Sequence, residues 1–207
     1  LVQSVNPQTL TYLKLDRDDW NLESSTAVLK AMAYLPQLAQ VELRGMHLDD
    51  AALGYLCTSL ASTNKTLKQV NLLNVALTAV TSLDPLLQVL AQTPVDELRM
   101  ESTSVSDIPL LSASALHALL IVQPKWWRLA LHGLGLNETH AAVLTKVLST
   151  HAIRSFGDVL SLVHNPLLPT TELYQACAAT ARMGRVTLDN VAQSTALDTY
   201  RTLNNVH

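Results

Sequence analysis

The residues able to do chemistry in this chain are widely spaced, and the spacing argues against most of the chemistry. Cys57 and Cys177 each stand alone among apolar neighbours at helical spacing, which indicates neither a thiolate metal set nor a disulfide framework. The histidines, His47, His117, His132, His140, His151, His164 and His207, lie far apart with none at ligand spacing. No nucleophile elbow, phosphate-binding loop, zinc-protease helix or paired-carboxylate signature is found. The expectation is therefore no catalytic residue, no cofactor, no metal, and a chain that is not an enzyme. What remains is charge at every second position: Glu42 and Arg44; Glu97, Arg99 and Glu101; Arg128 and, beyond Ala130, His132. Two-residue spacing places side chains on one face of a strand, so this chemistry is recognition by a surface.

A surface of that kind needs strands laid side by side, and the sequence repeats a strand at regular intervals. The pattern L-x-x-L-x-L-x-x-x-x-L runs through Leu38, Val41, Leu43 and Leu48; Leu67, Val70, Leu72 and Leu77; Val95, Leu98, Met100 and Val105; and Trp126, Leu129, Leu131 and Leu136. Shorter matches occur at Leu10, Leu13 and Leu15, at Leu160, Leu162 and Leu167, and at Met183, Val186 and Leu188. Units beginning at 10, 38, 67, 95, 126, 157 and 183 are separated by 28, 29, 28, 31, 31 and 26 residues. Residues 153–156 offer a competing register for the sixth unit.

After each strand the period changes from two to about 3.6, the signature of a following helix. Asp49 precedes Leu53, Leu56 and Leu60; Asn137 precedes Val143, Leu144, Val147 and Leu148; Thr170 opens a third such segment. Asp and Asn can accept hydrogen bonds from the first turn, which explains where these helices start. Prolines 85, 109, 124, 166 and 169 fall at helix beginnings or in connections. A strand with one apolar side and a helix with one apolar stripe bury themselves only by stacking on neighbouring units.

These residues resemble the leucine-rich repeat superfamily, and the 28- to 31-residue unit with a full helix is similar to its ribonuclease-inhibitor-like branch. The resemblance implies an α/β solenoid of about seven repeats: a horseshoe or arc with a parallel inner sheet and outer helices. It covers residues 10–207 as a single domain, leaving 1–9 as a flank or the remnant of a preceding repeat. The family carries Asn or Cys at the ninth position of the motif. Here that position holds Asp18, Met46, Val75, Thr103, Leu134, Asn165 and Val191, so only the sixth unit matches. Loops in the other units must be held by other contacts or by a partner.

Strands are expected near 12–16, 40–44, 69–73, 97–101, 128–132, 159–163 and 185–189, and six intervals of about 4.8 Å give an inner sheet about 29 Å long. That face would carry Glu42, Arg44, Glu97, Arg99, Glu101, Arg128 and His132, with an apolar strip at Ala130, Val159 and Val163. Lys14 should lie beside Glu42, Asp16 beside Arg44 and Glu97 beside Arg128. Such ladders either only compensate one another or form a mixed-charge platform for a partner. Trp127, off the core pattern, either packs under a stretched loop or serves as a binding anchor.

Length and composition narrow the partner. The chain has 207 residues, 48% hydrophobic and 15% charged, with a net charge of −3. It has the means to bury a core. It has no basic field to hold nucleic acid: direct DNA binding is not expected, and RNA contact only within a ribonucleoprotein. No apolar run approaches the ~20 residues of a membrane span. The Asn64 and Asn137 sequons lack a secretory context. The functional expectation is an intracellular, non-enzymatic scaffold in the cytoplasm or an organelle such as the mitochondrion, a structural or assembly subunit whose partners are other protein subunits. The alternatives are a ligand-sensing or effector module of a longer regulatory or immune-type protein, and a small-GTPase regulator.

Overall fold

A computed structural model describes residues 8–17, 19–63, 65–122, 125–150, 155–179 and 183–188. Expectations at Asp18, Asn64, Pro124, His151, Ile153, Asp189, Val191 and His207 lie outside the described residues, as do 1–7 of the N-terminal flank. The elements alternate: β1 (Tyr12–Asp16), α1 (Leu22–Met32), β2 (Gln40–Arg44), β3 (His47–Asp49), α2 (Asp50–Ser62), β4 (Gln69–Ala79), α3 (Asp84–Leu90), β5 (Glu97–Ser102), α4 (Ala113–Val122), β6 (Lys125–His132), α5 (Glu138–Ser149), β7 (Ser155–Leu162), α6 (Thr170–Ala179) and β8 (Met183–Leu188). The chain is α/β, with an eight-stranded parallel sheet ordered β1-β2-β4-β5-β6-β7-β8 and β3 paired to the second half of β4.

Alternation along each strand decides which side is core. Val41, Leu43, Val70, Leu72, Leu98, Met100, Leu129, Leu131, Leu160 and Leu162 are buried in one cluster with the helix residues Leu29, Leu56, Leu60, Leu87, Leu116, Leu119, Leu144 and Leu173. All six helices among the described residues therefore cover one face; of the intervening residues on the other, Glu97, Arg99 and Glu101 stay half-exposed while Asn71, Leu73, Ala130 and Ser161 are buried. The helix starts follow the capping chemistry: Asp49 accepts from the Ala52 amide at 2.7 Å, and Asn137 from the Thr139 amide at 3.1 Å.

Backbone in the left-handed region occurs at Gly45 after β2, at Asn74 within β4, at Gly133 and Gly135 after β6 and at His164 after β7, with φ of 74°, 51°, 70°, 71° and 61°. At Gly45 a side chain would also strike the Arg17 carbonyl, so only glycine fits. Asn165, the one asparagine at the ninth motif position, is buried. Its Oδ1 accepts from the amides of Leu134 and Leu136 at 3.1 and 3.0 Å, and its Nδ2 donates to the carbonyls of Leu131, Leu162 and Val163. Elsewhere the loops close differently. Main-chain bonds run from Gly45 to the Leu73 carbonyl and from Ala76 to that of Met46. Helix-start carboxylates add Asp50 to Thr81 at 2.8 Å and Asp84 to the Ser112 amide at 2.7 Å.

Several expectations shift. β4 runs on to Ala79 and recruits β3, because Val75 and Leu77 are themselves buried. β6 starts three residues earlier than expected, β7 starts earlier and ends one residue sooner, and β8 starts earlier. Val105 and Leu167, assigned to the apolar motif, are half-exposed; Leu110, Leu111 and Leu168 fill the core instead. In the sixth unit Val159, Leu160 and Ser161 keep the register that starts at 157, and the pairing shifts before them. Phe156 pairs with Trp126, Val159 pairs with Arg128, and Gly157 with Asp158 together face Trp127 as a bulge.

Candidate functional site

The open face of the sheet is a grid whose middle row runs Lys14, Glu42, Asn71, Arg99, Ala130, Ser161, Thr187, each directly beside the next. Strand geometry alone brings these together from seven strands, and the neighbouring rows follow in the same register. The structure places Glu42, Arg44, Glu97, Arg99, Glu101, Arg128, His132, Val159 and Val163 there, all half-exposed. Trp127 lies in β6 where the pairing with β7 shifts, between the Trp126–Phe156 and Arg128–Val159 pairs.

The expected cross-strand pairs form. Lys14 Nζ lies 2.7 Å from Glu42, Arg44 lies 3.7 Å from Asp16, and Arg128 Nη1 donates to Glu97 at 3.3 Å. A pair along one strand joins them: Arg99 Nη2 donates to Glu101 Oε1 at 2.9 Å. Glu97 also accepts from the Gln69 amide at 3.4 Å. The Glu42 carboxylate and its hydrogen bond hold the Lys14 ammonium above its ordinary pKa.

From β6 onward the middle row shrinks, and a depression of about 260 Å³ opens in the face. Its base is Ala130, Ser161 and Thr187; Arg99, Glu101, Arg128, His132 and Val159 stand around it. Ala130 is buried, so the expected apolar strip is not continuous: Val159 and Val163 are separated by Ser161, whose Oγ lies 2.8 Å from His132 Nε2. On its other side His132 Nδ1 lies 3.7 Å from Glu101, and the His164 ring meets it edge-on at 6.4 Å. Hydroxyl, imidazole and carboxylate thus stand in a row. The 3.7 Å separation exceeds a hydrogen bond, the same carboxylate oxygen is already held by Arg99, and the β6 and β7 amides are committed to the parallel ladders rather than converging on an oxyanion position.

Trp127 is 55% exposed, with its ring lying against Gly157, where a Cβ would come within 2.5 Å of it. It does not pack under a loop; the bulge glycine gives its ring a flat seat. Trp126 is buried in the core as its motif position requires.

The remaining reactive groups lie elsewhere. Burial pushes the Cys57 thiol up to about 11 and the Cys177 thiol up to about 12, holding both protonated and unreactive. His140 is buried at the start of α5, its Nε2 2.9 Å from the Leu111 carbonyl, and desolvation lowers its pKa against the opposing effects of that carbonyl and of Asp84. Among the described residues no cluster of three or more His, Cys, Asp or Glu side chains could hold a metal, and no helix is long and apolar enough to cross a membrane.

Ser161 and Thr187 belong to the site although only the charged neighbours and valines stood out as candidates. The available signal was the switch from long to small residues at the fifth motif position after Arg99. Compared with family models, curated proteins and solved structures, the chain matches none.

Proposed function

We propose that this chain is a leucine-rich-repeat-like solenoid serving as a non-enzymatic interaction scaffold, a structural or assembly subunit of a larger intracellular complex. The observation that carries the reading is the open sheet face: a row of half-buried ion pairs, on the side the helices leave uncovered, ending in a depression beside an exposed tryptophan. Ion pairs held across strands are ordered before a partner arrives, so little side-chain freedom is left to lose on binding. Arginine and tryptophan are also the side chains that most often dominate interface energy. The row from Ser161 through His132 to Glu101 supports a polar binding surface better than acyl transfer, because its carboxylate is engaged by Arg99 and lies 3.7 Å from the imidazole.

The test is co-purification from the native source with Arg99→Gln and Arg128→Gln combined. Glutamine keeps an N–H for each neighbouring carboxylate while removing the charge. Loss of the co-purifying proteins with an unchanged thermal melt supports the reading. Unchanged co-purification moves the interface to the helical surface and overturns the assignment of this face.

A further inference from the structure

We propose that the depression over β6, β7 and β8 is a receptacle for one acidic side chain, an aspartate or glutamate, projected from the partner protein. The inference rests on the reading of the open face as an interaction surface and names what that surface recognises.

The first argument is size. Small-molecule pockets occupy about 300–1,000 Å³ and enclose most of their ligand. A 260 Å³ hollow open to a broad face is smaller than that and suits a single projecting side chain.

The second is the vertical order of charge. In the Arg99–Glu101 pair the guanidinium side chain is 30% exposed and the carboxylate 17%; in the Arg128–Glu97 pair the values are 29% and 13%. The acids lie deeper in both pairs. Glu97 is satisfied from within the face by Gln69 as well as Arg128, and Glu101 by Arg99 with His132 nearby. In both pairs more of the guanidinium side chain than of its carboxylate partner meets the solvent. Arg99 gives one N–H to Glu101 and has a planar fork of five, the geometry that takes a carboxylate in a bidentate fashion.

The third is the base of the hollow. Ser161 and Thr187 supply hydroxyls where a carboxylate oxygen would arrive, and Ala130 keeps the space open between the two arginines. Val159 on one wall, and the exposed Trp127 that precedes Arg128 in the chain, offer apolar surface to the flanking residues of the partner, the arrangement of a polar anchor within a desolvating surround.

The experiment is selection of random twelve-residue peptides, displayed with their C-termini fused so that no free terminal carboxylate is presented, on the immobilised full chain. The expected binders share one Asp or Glu. Changing that residue to Asn or Gln should weaken binding at least tenfold, and so should Arg99→Gln with Arg128→Gln in the protein. Ala130→Leu, which fills the hollow without touching charge, should weaken the same peptides, with a thermal melt confirming that the variant folds. Peptides lost with Ala130→Leu but indifferent to their own acidic residue overturn the acidic receptacle and leave the interaction reading standing. Peptides indifferent to every substitution on the open face, or an absence of any binder that depends on it, overturn the inference; the first of these also counts against the interaction reading.

Discussion

The two halves of the open face share one backbone plan and differ in depth. From β1 to β4 the middle row carries Lys14, Glu42 and Asn71; from β6 to β8 it carries Ala130, Ser161 and Thr187, in unbroken lateral register. The first half is filled, with Asn71 and Leu73 buried beneath the surface, and the second is hollow. In a parallel sheet of constant register, one side chain per strand is enough to write a binding depression. The two halves also close their turns differently. The connections after β2, β4 and β5 rest on main-chain bonds and on Asp50 and Asp84, whereas Asn165 alone satisfies five backbone groups beside β6 and β7.

That contrast can be broken or sharpened by measurement, beginning with the face the two halves have in common. Leu43→Ala and Leu131→Ala each empty a fully buried site and should each cost about 2–5 kcal/mol in a denaturant titration. A large effect at one and none at the other would show that the halves do not share a single core. Next comes the turn. Asn165→Ala leaves the buried Leu134 and Leu136 amides without their acceptor, at about 1–3 kcal/mol for each such group. Asp50→Ala, whose Thr81 partner is exposed to water, should shift the urea midpoint far less.

A smaller effect in the second half depends on pH. Burial lowers the folded-state pKa of His140 below its ordinary value, so the unfolded chain binds that proton more readily. The stability from neutral His140 is present above the ordinary histidine range and is lost as pH falls through that range towards the folded value. Melts from pH 8 to pH 5 should show this loss, and His140→Gln should reduce it. The smallest expected effect is Lys146→Ala on the exposed side of α5, under about 0.5 kcal/mol. A cost there equal to that of Leu131→Ala would refute the register of the fifth unit.

Much of this arrangement is legible in the sequence because it depends on local period. Leu98 and Met100 alternate with Glu97, Arg99 and Glu101 within five residues, enough to assign core and open face without knowing any neighbour. Units spaced by nearly constant lengths then make Lys14 a neighbour of Glu42, and Glu97 of Arg128, through parallel pairing. Reading fails where the interval stretches. In the fourth unit Val105 occupies the motif position yet is half-exposed, since the longer loop lets Leu110 and Leu111 reach the core first. In the sixth, two registers compete, and the strand keeps the one that starts at 157 from Val159 onward, with a bulge at Gly157 and Asp158 before it.

By itself the sequence determined the alternation of strands and helices, the buried side of each strand, and which charges would become lateral neighbours; all three follow from periods of two, 3.6 and about 29 residues. Only the tertiary structure decided that the acids lie beneath their arginines, that Trp127 rests on Gly157, that β4 extends to recruit β3, and that the face opens over Ala130 and Ser161. The physical reason is range. A residue's period is set by its own backbone, whereas its depth and exposure are set by side chains one or two strands away, some 30 or 60 residues distant along the chain.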